Sequence, residues 1–176
     1  MKIRTERNYT DHGQGFPVIL TDVPLVEIQG EWSPFINYRK LDKEVSLALA
    51  RKAGPLTGNQ VRFIRLRLGM TLAELAAKFD HKRQAVMKWE KHGPDPTQMR
   101  TPTEIVFRLM ILREEGVAQG QLGKALEAIE SAIHAPSEPL IIPASRVAVS
   151  RRPRKSGPAK EIERSTSADV LRQGEP

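Results

Sequence analysis

Apolar residues along this chain follow two patterns, and the more frequent one is helical. In RKLDKEVSLALARKAG, Leu41, Val45, Ala48 and Leu49 recur at the spacing of one helix face, and Gly54 with Pro55 supplies a stop. Leu72, Leu75, Ala76 and Phe79 repeat that spacing over a stretch too short to be stable alone, so this helix must pack on neighbours. Another helix is predicted from about Lys82 to His92, with Val86 and Trp89 facing inward and Gly93-Pro94 ending it. Ile105, Leu109 and Leu112 mark a fourth helix of this series, and Leu122, Leu126, Ile129 and Ile133 a fifth. The second pattern lies between Tyr9 and Ile36. There β-branched residues, Gly and Pro predominate, and the runs FPVIL and PLVEI, separated by a Thr21-Asp22 turn signal, predict two or three short strands.

Helix starts are marked independently. Thr57 to Gln60, Thr71 to Glu74 and Thr101 to Glu104 each fit the S/T-x-x-E/Q capping box, in which two side chains satisfy amide donors left over at a helix start. Leu56 with Val61 and Met70 with Leu75 add hydrophobic staples, and Pro102 sits at a first helical position. The resulting expectation is a mostly α chain. A β-rich segment and one helix (1–54) precede a five-helix domain (55–134), and a disordered tail (135–176) follows. No solenoid-period repeat is present.

Composition agrees with a helical core: 39% of the 176 residues are apolar but only 5% aromatic, which favours Leu, Ile, Val and Ala packing over a sheet sandwich. A net charge of +7 and an isoelectric point near 9.9 suit nucleic acid, although an anionic membrane or an acidic protein attracts the same charge. The chain has no cysteine, and His12, His81, His92 and His134 are scattered without ligand spacing, so neither metal nor other cofactor is expected. No nucleophile elbow, phosphate loop or paired carboxylates stand out, and the expectation is a protein that is not an enzyme. MKIRTERNYTDHG lacks the apolar stretch of a signal peptide and no window is apolar enough to span a bilayer, so a cytoplasmic protein with no membrane partner is expected. From Ala135 onward Pro, Ser and charge dominate. Arg146 to Lys160 holds six basic residues and no acid, either as extra phosphate contacts or as a solvated tail.

The candidate chemistry lies in QVRFIRLRLGMTLAELAAKFDHKRQAVMKWEKHG. Two short helices joined by a tight turn, the second rich in basic and amide side chains, are what major-groove reading requires. With Val86 and Trp89 inward, the positions left for DNA are Lys82, Arg83, Gln84, Ala85, Lys88 and Lys91. Arg83 suits the O6/N7 edge of guanine, Gln84 suits adenine, and the Ala85 methyl can touch a thymine methyl. Lys82, Lys88 and Lys91 are either phosphate contacts or a solvated face, and Thr71 with its amide can cap its helix or bind phosphate.

TLAELAAKFDHKRQAVMKWEK resembles the signature of the Xre/Cro-type helix-turn-helix family. The resemblance implies that 55–134 is an Xre/Cro-like DNA-binding domain. It places Arg83, Gln84 and Lys88 at positions that reach bases or the nearest phosphates, and Lys91 at a phosphate-contacting position. It also pairs Arg65 with Glu90 in a partly buried salt bridge. Together with YTDHG and LTGNQVRFIRLRLGMT upstream, the chain from Tyr9 to Leu112 resembles the MqsA (YgiT-type) antitoxin and regulator family. Two departures stand out: Leu72 replaces the family's glutamine, and its zinc-binding cysteine pairs are absent, with His12 where one would stand. The function implied is a transcriptional regulator, expected to be a repressor, that binds a palindromic operator in double-stranded DNA as a homodimer. The alternative is an antitoxin that masks a toxin protein and autoregulates its operon. The apolar stripes of the last two helices are the surface expected to form the dimer.

Overall fold

The computed structural model describes residues 2–149, and these residues form a mixed α/β fold of seven helices and a four-stranded sheet. Its central strand is β2 (Val18–Ile28), in which Val18, Leu20, Val23, Leu25 and Val26 are buried. The two apolar runs are therefore one strand. Asp22 takes a positive φ of 54° and bends it, moving the buried set from even to odd positions, where a turn was expected.

Strand β1 (Ile3–Asp11) runs antiparallel to β2 along one side. On the other side lie β3 (Glu31–Pro34), antiparallel, and β4 (Ile141–Pro143), parallel. Val26 pairs with Ile3 and Ser33 at once, and Ile19 with Thr10 and Ile141, which fixes the two sides.

Helix α1 (Tyr38–Arg51) starts where the Asn37 side chain accepts the Lys40 amide at 3.1 Å, and it buries Leu41, Val45, Leu49 and Ala50. After α2 (Gly58–Arg67), α3 (Leu72–Ala77) and α4 (Arg83–Lys91) come α5 (Thr101–Glu114), α6 (Gln119–Ala132) and the single turn α7 (Ala144–Val147). One apolar cluster runs from Phe16, in the loop between β1 and β2, through every described helix to Val147. Among the described residues no helix is long and apolar enough to cross a membrane.

Three expectations need correction. A mostly α fold missed the sheet's extent, because β1 is polar on both faces and β4 is three residues inside a Pro-rich stretch. The tail is not disordered from residue 135: Leu140, Ile142, Ala144 and Val147 are buried, Leu140 accepts the Ile19 amide, and Val147 accepts the Asn37 amide. Residues 150–176, including RRPRK, lie outside the described residues.

The third capping box does not form. Helix α5 is entered through Arg100 without a side-chain cap, and Thr101 is its first residue. The Glu104 carboxylate instead accepts the Leu56 amide at 2.9 Å and the Arg108 guanidinium at 2.7 Å. Arg108 is fully buried and also donates to the Lys52 and Gly54 carbonyls, so this network clips the link between α1 and α2 onto α5. Helix α5 packs on α1 and α6, burying Phe107, Met110, Ile111 and Leu112, and α6 packs on α5 and α1 through Ile129. Of the stripes expected to form a dimer, Leu112, Ile129 and Ile133 are buried, while Ile105, Leu109, Leu122 and Leu126 are half-buried.

Candidate nucleic-acid interface

Both expected boxes at α2 and α3 are present. Thr57 accepts the Gln60 amide while Gln60 accepts that of Thr57, and Thr71 and Glu74 do the same. The turns between these helices share one construction. After α2, Met70 N–H donates to Arg65 C=O and Gly69 N–H to Leu66 C=O, with Gly69 at φ +66°. After α3, His81 N–H donates to Ala76 C=O and Asp80 N–H to Ala77 C=O, with Asp80 at φ +53°. Each is a Schellman motif closed by a left-handed residue, and aspartate is among the few side chains that tolerate that region. The second turn joins α3 to α4, and the two helices pack against each other.

Close packing then holds α4 in place. Gly58 opens α2 directly against the end of α4, where a Cβ would lie 2.7 Å from the Trp89 carbonyl oxygen and 2.5 Å from the Gly93 nitrogen. Asn59 N–H donates to Gly93 C=O at 2.7 Å. Arg65 forms a two-pronged pair with Glu90 at 2.5 and 3.0 Å and also donates to Met70 C=O, linking α2, α4 and the first turn. Its side chain and that of Glu90 are only 11% and 12% exposed. The hydrogen bond to Glu90 pushes the Arg65 guanidinium up from its usual value, which keeps Arg65 charged. Trp89 is buried with Val86 and meets Phe79 and His81 edge-on, at 6.3 and 5.6 Å between ring centres. It is a core residue, as its spacing suggested.

With that inner face filled, the outer face carries the predicted side chains. Lys82 is the residue before α4, with no capping bond of its own, and it is exposed together with Arg83, Gln84, Lys88 and Lys91. None of these four cations forms an ion pair among the described residues. Gln84, Lys88 and Lys91 follow one another at helical spacing along a single stripe.

Two predicted positions look different in place. Ala85 is half-buried and packed against the core. Thr71 is exposed, but its amide donates to Glu74 at 2.7 Å, and these bonds hold the Glu74 carboxyl below the usual carboxylate range. The amide is therefore occupied, and what Thr71 can offer outward is its hydroxyl proton. One residue escaped the sequence reading. Met87, 50% exposed, lies four residues after Arg83 and three after Gln84, which is the signal that could have placed it on the outer face.

Comparison with protein-family models, with curated proteins and with solved structures finds no match, so the interface is read from its own geometry.

Proposed function

We propose that the chain is a sequence-specific DNA-binding transcriptional regulator, a repressor acting as a homodimer on a palindromic operator, with α4 as the helix that enters the major groove. The observation that carries this reading is the outer face of α4: four cations without acidic partners among the described residues, beside an exposed amide, on a helix fixed by the Arg65–Glu90 pair and the Gly58 contact. A solvated face on a surface helix needs no such rigid support. A reading helix does, because base contacts tolerate little displacement.

In the complex, Arg83 takes guanine O6/N7 and Gln84 takes adenine N6/N7. Met87, more exposed than Ala85, supplies the apolar contact to a thymine methyl. Lys82, Lys88 and Lys91 reach phosphates, joined by the Thr71 hydroxyl at the start of α3. Helices α3 and α4, with their Schellman turn and inward Trp89, act as the helix-turn-helix of an Xre/Cro-like unit set against an added sheet.

The test is selection of sites from random duplex DNA at physiological salt, followed by titration of the selected site against a scrambled one. Enrichment of an inverted repeat bound about 10³-fold above background supports the reading. Binding without enrichment that fades as salt rises overturns it in favour of a nonspecific electrostatic contact.

A further inference from the structure

We infer that the open edge of β1 is the homodimer interface, where β1 of one chain pairs antiparallel with β1 of a second copy, centred on Thr5. The inference rests on the homodimer of the proposed function and names the surface that forms it. Strand β1 has nine residues and is hydrogen-bonded only to β2 among the described strands, so one whole edge of backbone is unpaired. The Lys2 carbonyl accepts the Glu27 amide, which turns the even positions toward β2. By strand alternation the amides and carbonyls of Ile3, Thr5 and Arg7 then point to the open edge.

Charges on an edge strand ordinarily block such pairing. Here one register sets them against opposite charges. A two-fold axis perpendicular to the sheet sets residues of like parity opposite one another, and like charges directly opposite are destabilising. Centring on Arg4, Glu6 or Arg7 places that residue opposite its own copy, so a charge meets the same charge. Centring on Thr5 instead sets Arg4 opposite Glu6 of the second copy, twice over, with Ile3 opposite Arg7 and Lys2 opposite Asn8. Arg4 and Glu6 are both free enough to take these partners. Their contact within the chain is a loose 3.5 Å with side chains 53% and 40% exposed, and Arg4 is held over the Trp32 ring at 4.6 Å on the same face. The partner this edge fits is therefore a second copy of the same chain.

Sedimentation of the full chain without DNA tests this. The wild type is expected to be a concentration-dependent dimer. Thr5→Pro removes only an outward amide and leaves the β2 ladder intact, so it is expected to be monomeric with an unchanged far-UV spectrum. Arg4→Glu alone and Glu6→Arg alone are expected to weaken dimerisation about tenfold by opposing like charges, and the double exchange to restore it.

A monomeric wild type, a dimeric Thr5→Pro chain, or a double exchange as weak as the single ones each overturns the inference. Should Thr5→Pro fail to fold, the charge exchanges decide alone. The DNA reading fails separately: a dimer that behaves in this way but selects no operator leaves the interface standing and removes the function. A monomer that still selects a half-site does the reverse.

Discussion

At the scale of single residues, two classes of charged side chain have opposite tasks. Arg83 and Lys91 face solvent without partners among the described residues, so their removal should be felt only on DNA. Arg83→Ala is expected to lose about 1 to 3 kcal/mol on the selected site and to relax its preference, while Lys91→Ala weakens specific and scrambled sequences alike. Equal losses on both DNAs for both variants would remove the assigned roles. Arg108 is the contrary case. Arg108→Met leaves the Glu104 carboxylate buried without its cation and strands two backbone carbonyls, so unfolding in urea should show about 3 to 5 kcal/mol of destabilisation.

Lys52, beside this network, donates to the Pro55 carbonyl, and its pKa is lowered to about 8, first by burial and then by the Arg108 charge. The unfolded chain holds the Lys52 proton up to about pH 10.5, so between about 8 and 10.5 unfolding takes up a proton and stability rises with pH. Below about pH 8 the amine is charged in both states, and the full penalty of keeping it so in the folded chain persists. Lys52→Met should abolish that rise in a series of melts across this range.

At the scale of elements, what was legible in the sequence is what depends on neighbours three or four residues away. Thr57, Gln60, Thr71 and Glu74 cap as expected because a capping box involves one turn of backbone. Val86 and Trp89 face inward because helical period alone puts them there. Glu104 has the same local spacing from Thr101, yet fully buried Arg108 captures its carboxylate, and a buried cation outweighs an exposed amide. The Thr21-Asp22 signal was sound locally, but continuous pairing with β1 on either side turned a chain reversal into a bend. Gly58 reads as an ordinary helix start in sequence, and only the approach of α4 reveals why no side chain fits there. Gly58→Ala is expected to destabilise the fold by about 1 to 3 kcal/mol, since all three nearest atoms are backbone. By displacing α4 it should also weaken DNA binding in the same titration, although the residue itself lies at the inner contact.

At the scale of the whole molecule, sheet and helices share one core, closed by a segment whose composition suggests no structure. Proline and serine between Ala135 and Ser145 hide Leu140 and Ile142, whose burial depends on β2, a partner near the other end of the chain. A chain ending after Pro136 loses Leu140, Ile142, Ala144 and Val147 from the core. Each is buried, and full burial of an aliphatic side chain contributes about 1.5 to 3 kcal/mol. This truncation is expected to melt without cooperativity and to bind a hydrophobic dye, whereas a chain ending after Val149 melts in one transition. Equal melts for the two would show that β4 and α7 are dispensable.

The parallel pairing of Ile19 with Ile141 also sets an order in time. A chain emerging from the ribosome can assemble the β1–β2 ribbon and helices α2, α3 and α4 long before β4 exists. Until the last described strand clears the exit tunnel, β2 presents an open flank at Ile19 to Thr21, and the nascent protein stays vulnerable to pairing with its neighbours on the same message.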